Sequence, residues 1–446
     1  MSFDLAICNG IIITPNNCYA PLIGSIGIRN GVIEYVGEKK IFPRETKAVI
    51  DAYGKIVMPG LVNGHCHGDM TLARGMGDDL TLQEQSELFG DSNWFFNFTT
   101  EEDRYYSRLL TYIEAILSGT TFILDNTFWS LGAKSIEAMK SVGIKGGIVE
   151  DVCVDFATPD EMKLVAELTD FKHECTRNQI LPVLGGILEE SYTKTNLSKM
   201  SEVANQLDCL VTSHLCETEW RKQSVENKFH TSSVQLLRQH RILNEKYIGS
   251  HAIYLSKEDI QILNECNAKI VNTPLCEMKI ADGVAPIPEL LKNGVVVGLG
   301  TDGAMWNNSN DIFREMKGMA LLQTITKGIR SLTSHSILNM ATIDGAKVFG
   351  LENEIGSLEE GKRADIILVD ADQPHIAPLR IKNHENVSSA LVYCATGRDV
   401  TDVIIDGNHL VENRRLLTID VSEVIEKVTS ISEKIGLYQS GGDRFH

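Results

Sequence analysis

The chain opens on short apolar stretches bounded by turn residues, with no long helical stripe among them. DLAICNGIIITP, SIGIRNGVIEYVGE and KAVIDAYG follow one another within residues 1–55, each closed by Gly, Asn or Pro. Asn30-Gly31 sits between two apolar alternations, a strong hairpin signal. Matching strands return near the far end, ADIILVD at 364–370 and TDVIIDGNHLVENRRLL at 401–417, with a second tight-turn pair at Asp406-Gly407. Neither end can bury much by itself. The two are expected to combine into one small β-sandwich domain, residues 1–55 plus 365–446, carrying a C-terminal helical tail.

The intervening span, 56–364, alternates short apolar runs with amphipathic helical periodicity. The runs fall at 57–61, 121–125, 147–152, 181–188, 210–214, 247–251, 269–273 and 295–300, and helical stretches such as RYYSRLLTYIEAILSG (104–119) and NDIFREMKGMALLQTITKG (310–328) separate most of them. Eight βα units in series predict an α/β fold, a parallel (β/α)8 TIM barrel with its chemistry at the carboxyl ends of the strands. A doubly wound open sheet is the alternative, but no G-x-G-x-x-G follows the first strand.

Composition narrows the class. The chain has 446 residues, of which 43% are hydrophobic and 23% charged, which places it among ordinary globular proteins. Lys+Arg 42 against Asp+Glu 60 leaves a net charge of -18, which disfavours a nucleic acid polymer or an anionic membrane face as partner, though not a small nucleoside. The ten cysteines are scattered without a C-x-x-C pair, which reads as reduced thiols. The first residues lack a basic segment followed by a long apolar one, and no stretch approaches 18 uninterrupted apolar residues, so a cytoplasmic location is expected.

Candidate chemistry gathers at the predicted strand ends. His65 and His67, in KIVMPGLVNGHCH, are two apart, so on an extended strand both side chains share a face and can close on one ion. Asp125 and Asn126 follow the second strand, Glu150 and Asp151 the third, His214 and Glu217 the fifth, His251 the sixth and Asp302 the eighth. Each has an ordinary structural explanation taken singly. A histidine can bond to backbone, Glu217 can favour a helix N-terminus as Glu219 also would, and Asp302-Gly303 is a common turn pair. Four of the 12 histidines and an aspartate at one rim are poorly explained as packing, whereas a bound metal accounts for them together. A carboxylate at Glu217 beside such an ion could take a proton from water and deliver it to a leaving group.

These residues lie in PGLVNGHCH, GDDL, SGTT, SHLCET, GSHA and GLGTDGA, followed by the closing IGSLEEGKRADIILVD. With them the chain resembles the amidohydrolase superfamily, in its cytosine/adenosine-type deaminase and chlorohydrolase branch, over nearly its whole length. The resemblance implies one Zn2+ per subunit, with Fe2+ or Mn2+ as substitutes, held at His65, His67, His214 and Asp302. It further implies proton transfer by Glu217 and orientation of water and substrate by His251; Asp302, by its place at a strand end, could bond the attacking water as well as the metal and so join the catalytic set. Binuclear members use a carboxylated lysine after the fourth strand, and here that strand ends LPVLGGILEESY without one, which favours a mononuclear site.

TLARGMGDDL, KIADGVAPIPELLKNGVVVGLGTDG and NNSNDIFREM are similar to the S-adenosylhomocysteine, methylthioadenosine and adenosine deaminases of that branch. The chain departs from them at two substrate contacts. GGILEESY stands where those enzymes carry P-H-A-P-Y, and WFFNFTTEED, with Asn97, where they carry a ribose-binding glutamate after Trp-Pro. Substrate contacts are therefore expected from Trp94, Asn97, Trp129, Glu189, Glu190 and Trp306, although core packing explains the aromatics equally well. The expected reaction is hydrolytic release of ammonia from an amino-substituted heterocycle of purine, pterin, nucleoside or triazine type. Hydrolysis of a carbon–halogen or cyclic amide bond on the same scaffold is the alternative, and a homodimer or larger homo-oligomer is the expected assembly.

Overall fold

The structure, a computed structural model, describes residues 2–38, 46–86, 98–127, 132–152 and 165–439. Two sheets organise it. Strands β1 (Phe3–Ile12), β2 (Leu22–Arg29), β3 (Val32–Gly37), β4 (Thr46–Asp51) and β5 (Lys55–Pro59) open the first sheet. The second is built from β6 (Leu61–Cys66), β7 (Thr120–Asn126), β8 (Lys145–Asp151), β9 (Leu181–Gly185), β10 (Leu210–Leu215), β11 (Tyr247–His251), β12 (Lys269–Asn272) and β13 (Val297–Leu299). Strands β14 (Ile366–Asp370), β15 (Val400–Ile405), β16 (Asn408–Glu412) and β17 (Arg415–Leu416) then return to the first sheet.

In the second sheet the eight strands lie side by side in chain order and every neighbouring pair is parallel. Just beyond β13, Thr301 N and Asp302 N both donate to His65 O (3.0 and 2.9 Å), which brings the last strand back to the first. The sheet is thus the expected barrel. Alternate side chains divide as the pleat requires. Val62, Phe122, Leu124, Val149, Val183, Ile248 and Val271 fill the interior, with Ala346, Val348 and Phe349 packed on the same cluster. Ile123, Ile148, Leu184, Val211, Tyr247 and Ile270 join the larger core beneath the helices. Several of those helices start on strong signals. Thr100, Thr193 and Ser256 each close a capping box with the residue three positions on, opening Glu101–Leu117, Lys194–Leu207 and Lys257–Glu265.

The first sheet has nine strands from both chain ends, mostly antiparallel, with β5 at the join. This strand pairs in parallel with β1 (Ile11 opposite Ile56) and antiparallel with β14 (Pro59 opposite Ile366). The run at 57–61, read from sequence as the first barrel strand, therefore changes sheet at Gly60. An added Cβ there would stand 2.1 Å from Thr121 Oγ1, so only glycine lets the chain cross so close to β7. Gly60 N bonds Asp365 O (3.0 Å) in one sheet and Leu61 N bonds Gly119 O (3.0 Å) in the other.

Alternation on β14 and β15 ties the two bodies together. Ile366, Leu368 and Ile404 enter the small core with Ile7, Ile26, Ile28 and Val57, while Ile367, Val369, Val403 and Ile405 enter the main core. Each such side chain stabilises the junction by about 1.5–3 kcal/mol. The terminal helix Val421–Gln439 adds Val424, Val428, Ile431 and Ile435 on one face. Among the described residues no helix is long and apolar enough to cross a membrane.

Candidate active site

The carboxyl ends of β6, β10, β11 and β13 converge. Ring centroids of His65 stand 4.9, 5.2 and 5.4 Å from those of His67, His214 and His251, and the His214 ring stacks 5.3 Å from that of His251. Asp302 Oδ1 lies 3.5 Å from His67 Nε2 and 3.8 Å from His65 Nε2. One nitrogen each of His65, His67 and His214 fall within 4.8 Å of one another, as do atoms of the sets His65, His251, Asp302 and His214, Glu217, His251. The spacing exploits backbone that L-residues rarely adopt. Cys216, His251, Ala252 and Asp302 have φ of 48°, 72°, 57° and 59°. Such conformations cost on the order of 1–3 kcal/mol each and persist where the surroundings over-determine them.

The rings are held from behind. His67 Nδ1 donates to Asn126 O (2.9 Å), which leaves Nε2 as its lone-pair nitrogen. His65 Nδ1 lies 2.9 Å from Ser250 Oγ and 3.0 Å from Asn126 Nδ2, so the ring is held on its Nδ1 side with Nε2 toward the pocket. Asp302 accepts from Gly303 N (2.6 Å) on Oδ1 and from the Cys276 thiol (2.8 Å) on Oδ2. Beneath His67, Asp125 accepts from Gly68 N (2.8 Å) and Tyr112 OH (2.5 Å), and Arg108 lies between Asp125 (3.3 Å) and Asp69 (3.2 Å).

Electrostatics separates the histidines. Burial, reinforced by neighbouring imidazoles, holds His65 and His214 well below the ordinary histidine range, so both rings offer lone pairs. His251 goes the other way. Burial opposes its charge, but Glu217, Glu277 and Asp302 outweigh that and push it up to about 10. Thr273 Oγ1 lies 3.0 Å from its Nδ1, and its Nε2 faces Glu217 Oε1 at 3.6 Å. Asp302 stays below the usual carboxylate range because His67, His65 and His251 overcome the effect of burial.

A metal fits these residues. Among the described residues His65 Nε2 and His251 Nε2 are buried with no hydrogen-bond partner, a costly state that a bound ion or its water relieves. Tetrahedral bonds of about 2.0–2.2 Å place ligand atoms roughly 3.3–3.6 Å apart, close to the 3.5 and 3.8 Å that separate Asp302 Oδ1 from the two imidazole nitrogens. Imidazole nitrogens with one carboxylate suit zinc and also iron or manganese.

The structure thus brings together His65, His67, His214, His251, Asp302 and Glu217. Trp306 joins them, its ring edge-on to His67 at 5.3 Å. Glu189 and Glu190 are near but engaged. Glu189 Oε1 accepts from Cys216 N (3.0 Å), and Glu190 pairs with Arg221 (3.0 Å). Trp94, Asn97 and Trp129 lie outside the described residues. Sequence reasoning missed Arg221, Glu277 and Asp282. The available signal was Arg221 four residues after Glu217, a spacing that brings side chains together at a helix start. Asp282, buried near Glu217, is pushed up to about 8, by burial first and that carboxylate second. It offered no comparable sign.

A parallel barrel whose rim gathers imidazoles, an aspartate and a buried glutamate has the form of a metal-dependent hydrolase. The chain belongs to the amidohydrolase family, whose model matches residues 56–410. It is 33% identical over 412 residues to a 5-methylthioadenosine/S-adenosylhomocysteine deaminase of Desulfitobacterium hafniense, covering 91% of this chain and 92% of that one. A 5'-deoxyadenosine deaminase of Methanosarcina acetivorans is 34% identical over 443 residues, covering 97% and 98%. Among solved structures, an adenosine deaminase from Xanthomonas campestris with bound zinc superposes with TM-score 0.88 at 24% identity, covering 98% and 99%. Within the family the chain is a hydrolytic deaminase acting on a C–N bond.

Proposed function

We propose that this protein is a zinc-dependent deaminase of adenosine-type nucleosides modified at the 5' position, converting the 6-amino group of the purine to a carbonyl. The observation that carries the reaction is the placement of Glu217, whose Oε1 faces His251 Nε2 at 3.6 Å beside the His65, His67 and His214 cluster. The substrate class rests on the relatives, two of which are deaminases named for 5'-modified adenosines.

His65, His67, His214 and Asp302 would hold the ion. When bound, it supplies Lewis-acid chemistry that makes water a nucleophile near pH 7. Glu217 takes the proton of the attacking water on Oε1, passes it to the ring nitrogen, and then carries the proton of the newly formed hydroxyl to the departing amine, leaving a carbonyl. A C–O bond forms at the carbon that bears the amino group, the C–N bond breaks, and ammonia leaves. His251, anchored through Nδ1, donates from Nε2 to the developing oxygen charge. Trp306 offers the purine an aromatic contact, and Trp94, Asn97, Trp129 and Glu189 complete the proposed substrate set. The proposal includes a reduced compartment such as the cytoplasm, supported by buried thiols such as Cys66, Cys175, Cys209 and Cys216 that form no disulfide among the described residues, and a homo-oligomeric assembly.

The test is ammonia release by zinc-loaded protein from 5'-methylthioadenosine, S-adenosylhomocysteine, 5'-deoxyadenosine, adenosine, guanine, a pterin and an aminotriazine, with chloride release followed from a chlorotriazine. The proposal expects ammonia from the 5'-modified adenosines at the highest kcat/KM. Chloride release, or ammonia from the non-purine rings alone, overturns it.

A further inference from the structure

Neither metal binding nor substrate contact accounts for the clamp on Glu217. Arg221 lies in the first turn of the helix Glu219–Phe229 and is 5% exposed. Its guanidinium is shared by two carboxylates from different loops. Nη1 donates to Glu217 Oε2, Nη2 donates to Glu190 Oε1 (3.2 Å), and Nε faces Glu190 Oε2 at 3.0 Å. Glu190 belongs to the short turn Glu189–Ser191 after β9, and Glu189 in that turn accepts from Cys216 N (3.0 Å), one residue before Glu217. The loops after β9 and β10 are therefore fastened on both sides of Glu217. Of the two Glu217 oxygens, Oε2 is held and Oε1 faces His251.

We propose that Arg221, anchored by Glu190, is a positioning residue for the deamination: it fixes Glu217 so that Oε1 alone carries the proton. Glu190 then serves the reaction through Arg221 and not by touching substrate. The inference rests on the reading of Glu217 as proton carrier. A forked guanidinium suits the task because its plane carries separate donors, Nη2 to Glu190 and Nη1 to Glu217, with Nε adding an ion-pair contact to Glu190. A lysine would bring the charge without the fork.

The experiment is steady-state kinetics of zinc-loaded Arg221→Gln, Arg221→Lys, Glu190→Gln and the Arg221→Gln/Glu190→Gln double variant. Loss of alignment at a reacting group costs up to about 100-fold. Arg221→Gln is expected to lower kcat to that extent with KM little changed, and Arg221→Lys to recover part of it. Glu190→Gln should move kcat in the same direction by less, and the double variant should be no worse than Arg221→Gln. Unchanged kcat in Arg221→Gln overturns the proposal. So does a raised KM with unchanged kcat in Glu190→Gln, which would make Glu190 a substrate contact.

Should Arg221→Gln fail to fold, Arg221→Lys and Glu190→Gln carry the test on the same kcat and KM criteria. A second readout needs no substrate: thermal unfolding of Glu217→Gln, Arg221→Gln and their double variant. The pairing predicts non-additive shifts in Tm, and additive shifts overturn it. Full activity in Glu217→Gln would instead overturn the reading of Glu217 itself, and with it this role for Arg221.

Discussion

Arg108→Met removes the guanidinium that two fully buried carboxylates share beneath His67. In the helix Glu101–Leu117, Arg108 reaches Asp69 Oδ2 at 3.2 Å and Asp125 Oδ2 at 3.3 Å, with all three side chains at 0% exposure. Asp125 keeps donors without it, from Gly68 N (2.8 Å), Tyr112 OH (2.5 Å) and Ser135 Oγ (3.2 Å). Asp69 does not. Its Oδ1 already lacks a hydrogen-bond partner, and Arg108 is the donor to its Oδ2 among the described residues. Removing one member of a buried ion pair costs about 3–5 kcal/mol. An unfolding entropy of about 2.1 cal/mol/K per residue over 446 residues is about 0.9 kcal/mol/K, so Tm should fall by roughly 3–5 °C.

The deficit should depend on pH. Burial raises the Asp69 pKa above its ordinary 3.8 even with Arg108 opposing, and losing Arg108 raises it further. A carboxyl whose folded pKa is raised contributes stability that is fully present below the unfolded pKa and is lost as pH rises through the folded one. The variant should therefore lag the parent more at pH 8 than at pH 5, where Asp69 takes up a proton in place of the missing cation. Calorimetry of the metal-free proteins at both pH values reads this directly, and Asp69→Asn in the Arg108→Met background should recover part of the loss at pH 8. Equal losses at the two pH values, or no loss at pH 8, would show that Asp69 does not depend on Arg108 for its charge.

Other perturbations test the supports of the site. In Gly300→Ala the new Cβ would stand 2.8 Å from His65 O and 2.9 Å from His65 N, so strand positions must shift at a cost of about 1–3 kcal/mol. Atomic emission should then find less than one metal per chain. Asn126→Leu removes the amide beside His65 Nδ1 (3.0 Å), and competition with a chelator should show about 10–100-fold weaker metal binding with an unchanged circular dichroism spectrum. Glu189 is pushed up from 4.5 to about 7, burial being the chief cause. Its stability contribution is complete below pH 4.5 and is lost as pH rises through about 7. Urea denaturation should therefore find Glu189→Gln more stable than the parent at pH 8, by up to about 3 kcal/mol, and no more stable near pH 4.5.

The barrel was readable because a parallel sheet covered on both faces leaves continuous apolar runs, and the polar residues that end those runs must face one rim. His65 and His67 stood out because period-two spacing has one geometric meaning on a strand. The crossing at Gly60 was hidden, since an apolar run carries no mark of which sheet each half joins. The pairings of Arg221 with Glu190 and of Arg108 with Asp69 were hidden for a related reason. The partners are 31 and 39 residues apart, and a charged side chain reads as surface until the fold buries it beside its counterpart. The left-handed backbone at His251 and Asp302 gave no warning either, because glycine, its usual marker, is absent at both positions.

The proposed reaction is hydrolytic deamination with a metal held at His65, His67, His214 and Asp302 and the proton carried by Glu217. The most direct measurement is the initial rate of ammonia release from 5'-methylthioadenosine by metal-free protein, by the same protein after addition of one equivalent of zinc, and by zinc-loaded Glu217→Gln. Activity is expected only in the zinc-restored parent, with the glutamine variant binding zinc equally well and releasing ammonia at least about 100-fold more slowly. Ammonia release undiminished by metal removal, or by loss of the Glu217 carboxylate, would contradict the proposed reaction.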